Sequence, residues 1–370
     1  MPAPTLAPTP VQLLTCPEAS ASGNRIFMKR DDLLPFSFGG NKVRIAMEFH
    51  DDMRACGCDA LIMYGDLCSN LCRVLACLCR EQDVPCLMVA TSEAGESSST
   101  GASAAPEATT SAAIAPPVSA STVPNSATSE AGENAATAAS AASHVPASFN
   151  ELIVRRFGVE VIECPKTGIA DAVDAAFATL RARGLRPYYI YGDRTGQGNE
   201  GTAANAYAKA YQEILDWERD SSTHIDLIVT PYGTGCTQGG LVCGSLQARD
   251  QRQIVGISIS SRIPERARAI LDATVRGWYE KQGLPLPADY ADHIHLECGY
   301  NCGGYGRRDP RVDAQIEQML CDNAIPLDPT YTGKAFRGML DYLNDHAVTG
   351  KNILFLHTGG LPLFFDYLAR

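Results

Sequence analysis

The sequence predicts an α/β fold of two open, twisted, mostly parallel sheets flanked by helices. Three observations carry that prediction. Short apolar stretches of strand length alternate with longer amphipathic stretches along most of the chain. Several of the apolar stretches run directly into glycine-rich turns. At 370 residues the chain is long enough for two packed units. Such alternation makes most strands parallel, covers both sheet faces with helices, and places ligands at the carboxyl ends of the strands.

The elements follow in order. A charged run, Lys29-Arg30-Asp31-Asp32-Leu33, leads to Phe38-Gly39-Gly40-Asn41-Lys42, and Arg44-Ile45-Ala46-Met47-Glu48 continues as a helix. The pattern then predicts a strand over 60–64, a helix over 69–82, a strand over 85–90, a helix over 149–157 and a strand over 159–162. A second series predicts a helix over 169–183, a strand over 188–191, a helix over 201–217 and a strand over 225–230. A glycine-rich turn, a helix and a strand over 254–260 come next, and residues 353–356 read as a late strand. The expected division is a large unit, residues 1–50 and 165–370, and a small α/β unit, residues 51–164.

Within the small unit, residues 92–148 are dominated by Ala, Ser, Thr, Pro and Glu and contain no Lys, Arg, Phe, Trp or Tyr. The hexapeptide Thr-Ser-Glu-Ala-Gly-Glu occurs there twice, from Thr91 and from Thr128. Such a composition cannot bury enough apolar surface to offset the entropy of ordering, so a disordered low-complexity insertion is expected.

Composition also excludes function classes. A net charge of −11 with no cluster of Lys and Arg argues against a nucleic-acid partner. No apolar run approaches the roughly 20 residues that cross a bilayer, so no membrane partner is expected. Residues 1–15 carry no basic residue, unlike a secretory signal. A cytoplasmic location is therefore expected, with the 14 cysteines mostly reduced. Cys68, Cys72, Cys77 and Cys79, like Cys298 and Cys302, lack paired C-x-x-C knuckles. They read as small buried thiols rather than a metal site.

Four stretches carry chemistry. Two glycines before Lys42 let the backbone approach a ligand closely, so this lysine reads either as a solvated surface group or as an amine placed against a carbonyl. The strand over 225–230 ends in Pro231-Tyr232-Gly233-Thr234-Gly235-Cys236-Thr237-Gln238-Gly239-Gly240. A glycine turn opening a helix offers successive N–H groups to a phosphate, or is merely a tight turn. It is neither a Walker loop nor a dinucleotide fingerprint. Gly65-Asp66-Leu67-Cys68-Ser69-Asn70 also joins a strand to a helix, and Ser69 can cap that helix or, with Asn70, hold a carboxylate. His357-Thr358-Gly359-Gly360 places a hydroxyl at a strand end, with His357 reading as a structural histidine. A phosphate cradle, a placed lysine, a carboxylate-sized helix cap and a lone hydroxyl together describe pyridoxal 5'-phosphate and an amino-acid substrate.

In order along the chain, Lys29-Arg30-Asp31-Asp32, Gly39-Gly40-Asn41-Lys42, Ser69-Asn70, Gly233-Thr234-Gly235-Cys236-Thr237, Asp328-Pro329-Thr330-Tyr331-Thr332-Gly333-Lys334 and His357-Thr358-Gly359-Gly360 resemble the D-cysteine desulfhydrase and 1-aminocyclopropane-1-carboxylate deaminase family. That family belongs to the fold type II, tryptophan-synthase-β-like pyridoxal-phosphate enzymes. The resemblance implies that Lys42 is the Schiff-base lysine and the acid/base for the α proton. It implies that Gly233, Thr234, Gly235, Cys236 and Thr237 hold the phosphate, and that Thr358 faces the pyridine nitrogen. Ser69 and Asn70 would hold the substrate carboxylate, with Ser69 also a proton carrier. Tyr305 and Tyr331 are similar to the family's two active-site tyrosines. Thr332 resembles the desulfhydrases, whose pattern is Tyr-Thr-Gly-Lys, rather than the ring-opening deaminases with Tyr-Glu-Gly-Lys. The resemblance implies β-elimination of D-cysteine to pyruvate, ammonia and hydrogen sulfide by a homodimer. The chain departs from the family at Leu71, where His is usual, at Ile45, where a second lysine is usual, and at Cys68, where Gln is usual.

Overall fold

The computed structural model describes residues 6–91 and 147–369. The composition-biased segment 92–148 therefore lies, except for its last two residues, outside the described residues.

Among the described residues, ten strands form two sheets. The larger has the order β1-β2-β10-β7-β8-β9, with β1 Val11–Leu13, β2 Arg25–Lys29, β7 Leu227–Tyr232, β8 Gln253–Ser258, β9 His295–Glu297 and β10 Asn352–Leu356. The smaller has the order β5-β4-β3-β6, with β3 Ala60–Gly65, β4 Cys86–Thr91, β5 Glu160–Cys164 and β6 Pro187–Tyr189. Every pairing is parallel except the edge pair β1 and β2. Strands β3 and β7 are buried along their whole length, as the centre of a helix-covered sheet requires.

The smaller sheet extends past residue 164, where the sequence pattern divided the chain. Strand β6 pairs with β3, Ala60 opposite Pro187 and Ile62 opposite Tyr189. The helix Ile169–Ala182 buries Ala172, Val173, Ala176 and Leu180 against the same sheet. A right-handed β-helix-β crossover has to return to the sheet it left, and the length of the 169–182 helix suits that return.

One buried ionic cluster ties the loop after β2 to the helices Asn41–Ala55 and Glu200–Ser221. The fully buried Asp31 carboxylate accepts Thr9 Oγ1 at 2.6 Å, Arg44 Nε at 3.0 Å and Tyr207 OH at 2.5 Å. Burial would raise this carboxyl, but Arg44 and Lys29 hold it below the usual carboxylate range. Glu213 closes the cluster through Lys29 Nζ at 2.6 Å and Arg44 Nη1 at 2.6 Å. Asp31 also accepts Gly40 N–H on its backbone carbonyl at 2.8 Å, so the cluster anchors the turn that presents Lys42.

Candidate active site

Strands β2, β10, β7 and β8 all end on the same side of the larger sheet, and the loops that follow them line one cleft with the start of the helix Asn70–Glu81. The cleft gathers Asn41, Lys42, Ser69, Asn70, Gly233, Thr234, Gly235, Thr237, Tyr305, Tyr331 and Thr358, drawn from distant parts of the sequence.

Lys42 is the second residue of the helix Asn41–Ala55. Gly40, at φ 98°, turns the chain into that helix, and a Cβ there would stand 2.8 Å from the Thr358 carbonyl. Gly359 approaches as closely from the other side, since its Cβ would lie 2.5 Å from Gly40 Cα. Only glycines allow the lysine turn and the β10 turn to touch. The contact is fixed by Asn41 N–H donating to the Thr358 carbonyl at 3.1 Å. Burial lowers the Lys42 amine from its ordinary value, with Cys236 and Cys72 opposing weakly, and no carboxylate among the described residues pairs with it.

The phosphate-type turn follows β7. Gly235 caps the helix Cys236–Ala248 at φ 84° with no side-chain cap, which leaves that helix's first N–H groups facing the cleft. Asn41 Nδ2 donates to Thr237 Oγ1 at 2.9 Å and so joins the lysine helix to this turn. The Cys236 side chain turns toward Thr234 and does not line the cleft; only its backbone belongs to the turn.

Ser69 caps the helix Asn70–Glu81, its Oγ accepting Cys72 N–H at 3.3 Å. Asn70 is held by Asn150, whose Nδ2 reaches Asn70 Oδ1 at 3.0 Å and the Cys68 carbonyl at 2.7 Å. Ser69 thus caps its helix, and both it and Asn70 line the cleft. Leu71 lines the cleft, whereas Ile45 is buried in the core.

Tyr305 and Tyr331 meet with hydroxyls 3.1 Å apart and rings edge to face at 5.9 Å. Burial pushes both phenols up. Thr332 stands behind them and does not line the cleft. Its Oγ1 donates to Asp328 Oδ2 at 2.7 Å, and the same carboxylate accepts the N–H groups of Thr330, Tyr331 and Thr332. Thr332, expected from the sequence to bind substrate, instead bonds Asp328, whose carboxylate accepts the Tyr331 N–H at 2.7 Å. His357 is structural, with Nε2 on the Pro326 carbonyl at 2.8 Å and Nδ1 accepting Gly359 N–H at 3.1 Å.

Sequence reasoning did not single out Tyr64, Tyr191, Gln238, Ser260 or Arg262 as site residues, yet all line the cleft. Tyr191 follows β6, and its place in the cleft depends on that strand joining the smaller sheet.

The cleft fits pyridoxal phosphate on its own features. It has a glycine-capped helix start without a side-chain cap, a buried amine with no counter-ion, and a buried Ser260 hydroxyl with no partner among the described residues. Fold and cleft together define α/β enzymes that hold a phosphorylated cofactor at parallel strand ends beside a buried lysine. Residues 124–359 match the model of the pyridoxal-phosphate dependent enzymes, and the chain belongs to that family. It is 27% identical over 364 residues to a D-cysteine desulfhydrase of Klebsiella pneumoniae (strain 342), covering 98% of this chain and 94% of that one. A D-cysteine desulfhydrase of Salmonella newport (strain SL254) is 26% identical over 366 residues, with the same coverage of 98% and 94%. Among solved structures, an ACC deaminase homologue shares the fold at a TM-score of 0.74 and 24% identity, covering 98% of this chain and 92% of that one.

Proposed function

We propose that the protein is a lyase that removes sulfide from D-cysteine, giving pyruvate and ammonia after hydrolysis. The observation that carries this reading is the convergence on one cleft of Lys42, the helix start at Ser69 and Asn70, and the Tyr305–Tyr331 pair. The likeness to desulfhydrases along almost the whole chain supports the choice of substrate.

Bound pyridoxal phosphate supplies an electron sink that lowers the cost of removing the substrate's α proton. The residues do the rest. Ser69 and Asn70 orient the substrate carboxylate at the positive end of their helix. The Lys42 amine, neutral more readily because burial lowers it, takes the α proton. Tyr305, protonated throughout the neutral range because burial raises it, donates a proton to the departing sulfur, and Tyr331 orients it. Thr358 would offer the bound cofactor's ring a neutral hydroxyl, which suits elimination better than transamination. The unsaturated product then takes up water, so carbon, nitrogen and sulfur leave as pyruvate, ammonia and hydrogen sulfide. An intracellular homodimer acting on a small amino acid completes the proposal.

A second reading is a cofactor-binding protein with little turnover, favoured by Leu71, which puts an apolar side chain in the cleft where the resembled family has a histidine. Sulfide and pyruvate release from D-cysteine and L-cysteine, pyruvate release from D-serine and 2-oxobutyrate release from 1-aminocyclopropane-1-carboxylate separate the readings. Release from D-cysteine above the others supports the first. Bound cofactor with no release from any of the four supports the second.

A further inference from the structure

We propose that Arg262, with Ser260 beside it, is a phosphate-binding residue of the cofactor site. A phosphate dianion held at a helix start gains most from a nearby fixed cation, because backbone N–H groups alone carry only partial charge. Of the described side chains that line the cleft, only Lys42, Asp328 and Arg262 are of the acidic or basic types Asp, Glu, Lys, Arg and His. Lys42 is the cofactor's amine partner, and the Asp328 carboxylate is occupied by the turn it caps. The lysine helix offers no other cation to the cleft. Arg44 is turned to Asp31 and Glu213, and residue 45 is a buried isoleucine.

Arg262 stands where the missing charge is needed. It follows β8, the neighbour of β7, and its Nη1 donates at 2.8 Å to the carbonyl of Gly233, the first glycine of the phosphate-type turn. No carboxylate among the described residues lies within ion-pair distance of it. Ser260, two residues earlier, is 4% exposed, lines the cleft, and keeps its Oγ without a partner among the described residues. An unpaired buried hydroxyl is costly unless a ligand completes it, which makes it a ready second donor. The inference rests on the family's cofactor and holds whichever amino acid the enzyme takes.

The test titrates the full chain, stripped of cofactor, with pyridoxal phosphate, with pyridoxal and with inorganic phosphate as competitor. Arg262→Gln is expected to raise the Kd for pyridoxal phosphate about tenfold, the usual size of one charge-assisted hydrogen bond, with the Kd for pyridoxal unchanged. Competition by inorganic phosphate should weaken in parallel, and Arg262→Lys should recover most of the affinity. Three results would overturn the assignment: no change in either Kd, equal weakening of both cofactors, or unchanged cofactor binding with a raised KM for the amino acid. Equal weakening means that Arg262 only supports the turn, and the raised KM means that it reads the substrate. None of these depends on sulfide release.

Discussion

Asn41 Nδ2 donates to Thr237 Oγ1 at 2.9 Å, and both side chains are buried. This bond fixes the helix that carries Lys42, proposed to meet the cofactor's carbonyl end, against the turn proposed to meet its phosphate. Asn41 also reaches the third cofactor loop, through its backbone N–H on the Thr358 carbonyl. One residue therefore sets the spacing of three anchor points.

Asn41→Ala is expected to weaken cofactor retention about tenfold, the equivalent of one buried hydrogen bond, while the chain still folds. Equilibrium dialysis against pyridoxal phosphate measures it. An unchanged Kd would remove Asn41 from the account.

Lys42 gives the cofactor-free protein a pH signature. Burial lowers its amine in the folded chain, so between that lowered value and the ordinary 10.5 the unfolded chain binds more protons. Stability due to this group therefore rises with pH across that window and is lowest below it. Lys42→Met is expected to stabilise the cofactor-free protein at neutral pH and to flatten this part of the profile. Thermal melts of both proteins from neutral to alkaline pH provide the check.

Tyr305→Phe deletes the hydroxyl that faces Tyr331 without emptying the space. A proton donor to the leaving sulfur predicts a kcat loss of about 100-fold with KM changed little. Chloroalanine, whose leaving group needs no proton, should lose far less. Equal losses on both substrates would assign Tyr305 to packing.

Asp328 is 1% exposed, and burial tends to raise its carboxyl against the donors that surround it. Asp328→Ala leaves the N–H groups of Thr330, Tyr331 and Thr332 and the Thr332 hydroxyl without their acceptor. The expected cost is about 3 kcal/mol of stability, together with a disordered Tyr331. Denaturant unfolding and the kcat on D-cysteine report the two effects separately.

Much of this arrangement was legible in the sequence because its signals are local. A glycine pair before Lys42, a glycine turn after β7, a Ser-Asn helix start and a threonine turn after β10 each announce a strand-end loop from a few residues. Parallel topology then requires that such loops share one side of a sheet. What escaped depends on long-range pairing. Nothing around Pro187 says that β6 joins β3, so the sequence pattern divides the chain at residue 164 instead of beyond β6. Arg262 belongs to no motif, and only the adjacency of β7 and β8 brings it to Gly233. Thr332 sits in a motif yet faces Asp328, because a side chain's direction at a helix start depends on its cap.

In the proposed reaction, Lys42 drives elimination of sulfide from D-cysteine. The most direct measurement is sulfide release from D-cysteine by the purified, cofactor-loaded chain and by Lys42→Ala, each with its visible absorption spectrum. The unaltered chain is expected to release sulfide and pyruvate in equal amounts, and Lys42→Ala to lose at least about 1,000-fold together with the lysine-bound cofactor's absorption band. Sulfide release that survives Lys42→Ala, or none from the loaded unaltered chain, would contradict it.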